Sequence, residues 1–194
     1  PDEAPVVSPN GKQIAWLGFD DRMIGSQLYR LYVMNRDGSE SREIKSKLDR
    51  SLQNPRWDGR SEGLYVQFDD QGHTKLGHLS TDEKYQEIAT DVGGTTLGRP
   101  YQSGSYSVSK KGLLAFTRTD PHRPADVAIA RLDADSRYLT SLNADLFSQR
   151  ELGKVEEFWF KSSLDGMKTQ AWLVTPPDFK HVLRGKRKRY PMIL

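Results

Sequence analysis

Cysteine is absent from the 194 residues, so disulfides and thiolate metal sites are excluded. No run of about 18 or more apolar residues occurs, and we therefore expect no membrane-spanning helix and no membrane partner. The chain opens at Pro1 without a methionine or a signal peptide, so we expect its natural start to be missing. We accordingly leave the cellular localisation undetermined.

An excess of one charge over a whole surface is also lacking. The net charge is +3, but six basic residues and no acidic one lie in the segment 180–189, and the rest of the chain is net negative. A nucleic-acid interface usually spreads its basic residues over a face and interleaves them with aromatic residues. We therefore interpret 180–189 as a solvated loop and expect no nucleic-acid partner.

A repeat of 50 residues is the strongest pattern that is present. Three apolar triplets recur at that spacing: Ile14–Trp16, Leu64–Val66 and Leu114–Phe116. Each triplet follows a turn sequence that contains a glycine, namely Gly11, Gly59 or Gly112, and glycine tolerates the positive φ of a tight reversal. We predict that these three glycines occupy equivalent turns of a first hairpin in each repeat.

Two further short apolar stretches follow in each repeat, and in the third repeat we predict the last strand over Tyr138–Leu142. Four strands in about 40–50 residues are typical of a β-propeller blade, whose two faces are buried only when blades stack. A helical solenoid is excluded because the stretches are short, rich in β-branched or aromatic residues, and bounded by Gly, Pro and Asp. We predict a propeller part over 1–149, with blades over 1–49, 50–97 and 98–149.

The first repeat resembles a known propeller sequence. Ala4–Trp16 and Tyr32–Ser39 are similar to the repeat found in the translocation protein TolB and in peptidases of the prolyl oligopeptidase family. Propellers serve many functions, so this similarity alone indicates only the fold.

The residues after Phe147 favour the peptidases, because the 50-residue period stops there. Val155–Ser162, the turn Asp165–Gly166, Thr169–Val174 and Tyr190–Leu194 follow in an order that resembles the start of the hydrolase domain in acylaminoacyl-peptidases and dipeptidyl-peptidases. We expect a hairpin around Asp165–Gly166 and a buried strand over Tyr190–Leu194. The predicted fold is therefore mostly β: propeller blades, then the first strands of an α/β-hydrolase domain over 150–194, truncated there. The spacer Asp178–Arg189 is longer and more basic than the family pattern.

The resemblance implies a serine peptidase that acts on short peptides, with a Ser-His-Asp triad outside this segment and a propeller that restricts access to it. The implied partners are short peptide substrates and the chain's own downstream hydrolase domain, no cofactor is implied, and a homo-oligomer is left open. The 194 residues alone should be inactive. The alternative is a TolB-like propeller that binds proteins and has no enzymatic activity.

One strict G-x-S-x-G motif occurs, at Gly59–Gly63, with Ser61 as its central residue. A nucleophile elbow needs a helix after the serine, whereas the following residues Leu64–Phe68 are typical of a strand. We therefore predict a hairpin turn here and assign no catalytic residue within the chain.

The remaining polar candidates also point to structural roles. His73 and His78 are an odd number of residues apart on a predicted strand and should face opposite sides, which disfavours a shared metal site. We expect surface or loop positions for all four histidines, polar strand ends for the aspartate pairs, and packing roles for the tryptophans, and we assign no metal site and no substrate-binding residue. These residues are His73, His78, His122 and His181; Asp20, Asp21, Asp69 and Asp70; and Trp16, Trp57, Trp159 and Trp172.

Overall fold

Three antiparallel four-stranded sheets account for most of the chain. The computed structural model describes residues 2–94, 104–179 and 190–193. The strands are β1 Asp2–Val7, β2 Gln13–Gly18, β3 Arg30–Asn35 and β4 Arg42–Glu43 in the first sheet; β5 Gln53–Trp57, β6 Gly63–Asp70, β7 His73–Ser80 and β8 Tyr85–Ala89 in the second; and β9 Tyr106–Val108, β10 Leu114–Asp120, β11 Arg123–Arg131 and β12 Ala134–Tyr138 in the third. The sheets pair their strands in chain order, and the predicted triplets lie in β2, β6 and β10, which confirms the predicted fold class of antiparallel propeller blades. The predicted blade boundaries stay a prediction.

Two apolar cores lie between consecutive sheets, because each strand sends alternate side chains to opposite faces. Leu64, Val66 and Phe68 of β6 belong to the core shared with the first sheet, together with Leu31 and Val33 of β3 among others. Tyr65, which lies between them on β6, belongs to the core shared with the third sheet, together with Leu114, Phe116 and Ala128 among others. The second sheet is thus covered on both faces, as stacking of blades requires.

The last strand of the third sheet differs from the prediction. β12 starts at Ala134, directly after a turn at Leu132–Asp133, and ends at Tyr138, so the predicted strand over Tyr138–Leu142 is wrong. The short turn allows Ala134 to pair with Arg131 at once, which moves the strand about four residues towards the N-terminus. Residues 139–142 are instead held by β11.

Asp126 of β11 holds residues 139–142 in place by hydrogen bonds. Its buried carboxylate accepts hydrogen bonds from the Leu142 amide (2.9 Å) and the Thr140 hydroxyl (2.7 Å), and Arg123 lies 4.0 Å away. These hydrogen bonds, first that of Leu142 and then that of Thr140, hold the pKa of Asp126 below its ordinary value.

This depressed pKa predicts acid sensitivity of the segment. A carboxylate with a lowered folded-state pKa stabilises the fold above its unfolded pKa of about 3.9, and the stabilisation is lost as the pH falls through the folded pKa. We expect the protection factor of the Leu142 amide, which is its intrinsic exchange rate divided by its measured rate at the same pH, to fall below about pH 4. Asp126→Asn should reduce this pH dependence, and an unchanged acid response in that variant would contradict the assignment.

The structure divides into two compact units, Pro1–Ala144 and Asp145–Leu194. A four-residue helix, α1 (Ala144–Phe147), precedes the second unit's hairpin of β13 (Lys154–Lys161) and β14 (Lys168–Thr175). Gly166 lies in its turn with a φ of 73°, as the Asp165–Gly166 motif predicts. That the second unit begins a hydrolase domain stays a prediction.

Aromatic side chains on this hairpin are exposed in the chain. Phe158 and Phe160 lie on one face of it, and Trp159 and Trp172 lie on the other. The predicted packing role of these two tryptophans is therefore not seen in this chain, since they are 38% and 45% exposed.

The predicted strand over Tyr190–Leu194 does not form in the described residues 190–193. They carry no strand pairing, and Ile193 is 96% exposed. The Tyr190 hydroxyl donates to the Asp178 carbonyl (3.1 Å), and none of the described strands pairs with the segment. Leu194, His181 and the basic segment 180–189 lie outside the described residues. In the part of the chain that is described, no helix has the length and apolarity needed to cross a membrane.

Candidate functional site in the cleft between the second and third sheets

The turn that carries the G-x-S-x-G motif joins β5 to β6, as predicted. In the three sheets the first hairpin turn is closed by the same hydrogen bond: Gly11 N to Ser8 O (2.8 Å), Ser61 N to Asp58 O (3.3 Å) and Gly112 N to Ser109 O (2.9 Å). The donor residue has a positive φ each time, namely 70°, 62° and 75°. Gly59 thus lies in the equivalent first-hairpin turn, as predicted, but Ser61 and not Gly59 takes the positive-φ position of Gly11 and Gly112.

Both glycines of the motif are explained by close approach. A Cβ on Gly59 would lie 2.0 Å from the Lys110 carbonyl oxygen of the third sheet's first turn. A Cβ on Gly63 would lie 2.5 Å from the Cε1 atom of the His78 ring. The two glycines are therefore explained by packing, since Gly59 lies against the neighbouring turn and Gly63 lies beneath the His78 imidazole. The serine is followed by β6 and not by a helix.

An aspartate, a histidine and a tyrosine meet beside this turn. His78 Nε2 lies 3.0 Å from Asp58 Oδ2, and both side chains are largely buried. The Tyr65 ring packs edge-on against the His78 ring, with centroids 5.0 Å apart. Asp58 Oδ1 accepts the amides of Arg60 and Glu62, both at 3.0 Å, so the carboxylate is fixed by the turn.

Ser61 does not complete a catalytic set with this pair. Its hydroxyl oxygen accepts the Asn10 amide (3.2 Å) of the first sheet's turn, and no hydrogen bond joins it to His78. A serine nucleophile needs its base within hydrogen-bond reach. The geometry thus agrees with the predicted turn.

The polar pair is peculiar to the second repeat. Tyr65 pairs with His78 across β6 and β7, at the register where the first sheet pairs Ala15 with Val33. The third sheet pairs Ala115 with Ile129 there. At this position of the repeat the second sheet thus has a polar pair where each of the other two sheets has an apolar pair. Gly63 leaves the room that the His78 ring occupies.

Tyr65 and His78 line a cleft between the second and third sheets with a volume of about 1050 Å³. Its walls are formed by the turns at one end of the two sheets, and they carry charges of both signs. Besides His78, the charged lining residues are Asp58, Arg60, Glu62, Asp82, Lys84, Lys110, Lys111, Arg131 and Asp133. Burial raises the pKa of the Tyr65 hydroxyl, and the charges of Asp58 and Asp133 raise it further.

The other two histidines among the described residues, His73 and His122, do not join this site. His73 Nδ1 contacts Asp91 Oδ1 (2.9 Å), so His73 and His78 have different partners, as opposite faces of β7 require. His122 is exposed in the turn between β10 and β11. Among residues 2–94, 104–179 and 190–193, no group of three or more acidic or histidine side chains could hold a metal ion.

Asp21, Asp69 and Asp70 of the two predicted aspartate pairs make local contacts at strand ends or in a loop. Asp70 pairs with Arg50 (2.7 Å) and Lys75 (3.1 Å), and Asp69 accepts the Thr74 hydroxyl. Asp21 accepts the Met23 amide in the loop after β2. These contacts are those of polar strand ends and loops.

Two tryptophans have the predicted packing role. Trp57 is buried in the first core, and its Nε1 donates to the Val6 carbonyl (3.0 Å) of the neighbouring sheet. Trp16 stacks on Tyr32 with ring centroids 5.5 Å apart.

Sequence reasoning did not identify Tyr65 and Asp58 as members of a site. The available signal was the repeat itself, since aligning the three triplets sets Tyr65 against Ala15 and Ala115. The partner His78 could not be found in this way, because the loops between the second and third strands differ in length and only the strand register aligns it with Val33 and Ile129.

Comparisons with curated proteins find relatives that match along the whole chain. It is 26% identical over 195 residues to dipeptidyl-peptidase 5 of Porphyromonas gingivalis, covering 100% of this chain and 26% of that protein. It is 24% identical over 196 residues to dipeptidyl-peptidase 5 of Aspergillus fumigatus, covering 98% of this chain and 25% of that protein. The chain therefore spans about a quarter of the length of these relatives. No family model matches.

Solved structures show the same fold. The isopeptidase AtxE2 with bound astexin-3 gives a TM-score of 0.70 at 18% identity, over 95% of this chain and 27% of that one. The acylaminoacyl peptidase of Pyrococcus horikoshii gives 0.68 at 20% identity, over 89% and 25%. A putative TolB from Agrobacterium tumefaciens gives 0.50 at 15% identity, over 72% and 49%.

Proposed function

We propose, since this chain belongs to the prolyl oligopeptidase family of peptidases, that the whole protein is a serine peptidase that releases dipeptidyl, acylaminoacyl or single aminoacyl units from short peptides. The observation that carries this proposal is the match of the entire chain to two proteins named dipeptidyl-peptidase 5. The sheets described here are proposed to form part of the propeller that restricts access to the active site.

The proposed chemistry is that of a Ser-His-Asp triad in the part of the protein outside these 194 residues. There the histidine takes the proton of the serine hydroxyl, the serine attacks the peptide carbonyl, and water hydrolyses the acyl-enzyme. The turn geometry of Ser61, whose oxygen is bonded to the Asn10 amide, supports a non-catalytic role for this chain. The 194 residues alone are proposed to be inactive.

Hydrolysis of dipeptidyl-4-nitroanilides by the full-length protein tests this function. We expect activity that a serine-directed inhibitor abolishes, and Ser61→Ala should retain activity within a few-fold of the wild type. Removal of a triad residue costs on the order of 10⁴-fold or more. A loss of that size in Ser61→Ala would show that the turn carries the nucleophile.

A binding propeller without enzymatic activity is the second candidate, and the likeness to the putative TolB favours it. The hairpin of β13 and β14 argues for the peptidase, because its exposed aromatic residues on both faces call for cover by further structure. Full-length protein that binds a partner but hydrolyses no peptide would favour the TolB-like function.

A further inference from the structure

The cleft between the second and third sheets has the features of a ligand site. Its volume of about 1050 Å³ is ample for a small ligand, since such sites usually measure about 300–1,000 Å³. Tyr65 is 96% buried, but its hydroxyl oxygen reaches the open space of the cleft and is not enclosed in the core. A hydroxyl in the wall of a cleft can donate a hydrogen bond to a polar group of a ligand or accept one from it.

The repeat gives an independent reason to assign a role to this position. The other two sheets place alanine where the second has Tyr65, and valine or isoleucine where it has His78. Stacking of the sheets therefore does not require polar residues here. His78 is fixed by Asp58 and Gly63, so the second sheet maintains a shaped polar surface at the cleft.

The charges of the cleft indicate what kind of ligand it accepts. Asp58 is paired with His78, and Glu62 lies 4.0 Å from Arg60. The remaining charged side chains of the lining are four basic ones and two acidic ones. These are Lys84, Lys110, Lys111, Arg131, Asp82 and Asp133. The net charge of these six side chains is positive. Lys110 and Lys111 contribute to it from the third sheet's first turn, which lies against Gly59.

We propose that this cleft is a binding site for a short peptide with a free C-terminal carboxylate. The carboxylate lies against Lys110 and Lys111, and the peptide's polar backbone pairs with the Tyr65 hydroxyl. The ligand class rests on the proposed peptidase function, because such an enzyme releases peptides of this kind.

Isothermal titration calorimetry of the full-length protein with dialanine tests the proposal. The same titration is made with dialanine amide, which lacks the carboxylate, and mass spectrometry checks that each probe stays intact. Tyr65→Phe keeps the ring and should weaken dialanine binding about tenfold, as the loss of a buried hydrogen bond does. Lys110→Gln with Lys111→Gln should weaken dialanine and leave the weaker binding of the amide unchanged.

Lys12→Gln is the matched control, since Lys12 is an exposed lysine of the first sheet's equivalent turn, outside the cleft. Equal binding of dialanine and its amide, or wild-type affinity in both cleft variants, would overturn the proposal, because the peptide would then bind elsewhere or without its carboxylate. Hydrolysis is measured separately on dipeptidyl-4-nitroanilides. Active protein without cleft binding refutes this inference alone, whereas inactive protein refutes the proposed function.

Discussion

Replacing Phe68 with alanine should lower the free energy of unfolding by about 3–5 kcal/mol. Phe68 is 1% exposed and packs edge-on against Tyr85, in the core that joins the first and second sheets. The loss combines the transfer free energy of a large aromatic side chain with the cost of the cavity left behind, because the β-sheets on both sides cannot collapse to fill it. Urea unfolding followed by circular dichroism and tryptophan fluorescence measures it.

Two variants make the measurement specific. Phe68→Leu keeps most of the volume and should cost markedly less than Phe68→Ala. Ile24→Ala removes an apolar side chain that is 60% exposed, and it should change the stability by less than about 0.5 kcal/mol. If Phe68→Ala were no more destabilising than Ile24→Ala, the first core would be wrongly assigned.

Replacing Gly59 with alanine should also destabilise strongly, by about 2–3 kcal/mol. The new Cβ would lie 2.0 Å from the Lys110 carbonyl oxygen, a backbone atom that cannot rotate away as a flexible side chain could. The turns of the second and third sheets would have to separate. The same unfolding experiment measures this effect.

Gly25→Ala is the control, because no heavy atom lies within 4 Å of its Cβ position and its φ is not positive. We expect that substitution to be neutral or slightly stabilising, since it restricts the unfolded chain. Similar destabilisation in both variants would mean that the close approach at Gly59 does not govern the packing of the turns.

The sequence predicts the sheets well because its signals are local. The triplets, the turn residues and the 50-residue period all act within one hairpin, and they place β2, β6 and β10 correctly. The error at β12 arose because a two-residue turn at Leu132–Asp133 has no glycine or proline to mark it. The absence of a strand at 190–193 has another cause, because an apolar segment forms a strand only beside a partner and none of the described strands pairs with it.

The cleft was less predictable, because it depends on register and on the approach of two sheets. His78 was expected to face away from His73, and it does, but its contact with Asp58 depends on how the turn at 58–63 folds over β7. The glycine-containing sequence before the apolar triplet predicted a turn that includes Gly59. The turn forms there, but the residue with the positive φ is Ser61. Which residue of a turn takes the positive φ depends on the hydrogen bonds of the turn, and these cannot be read from the glycine positions alone.

Active-site labelling of the full-length protein tests the central claim most directly. A fluorophosphonate probe, which reacts with activated serines, is followed by proteolysis and mass spectrometry to locate the labelled residue. The account predicts one labelled serine outside the 194 residues, and unchanged labelling in Ser61→Ala. A label on Ser61 or on another serine of this chain would contradict the account, and so would intact protein that takes up no label and hydrolyses no peptide.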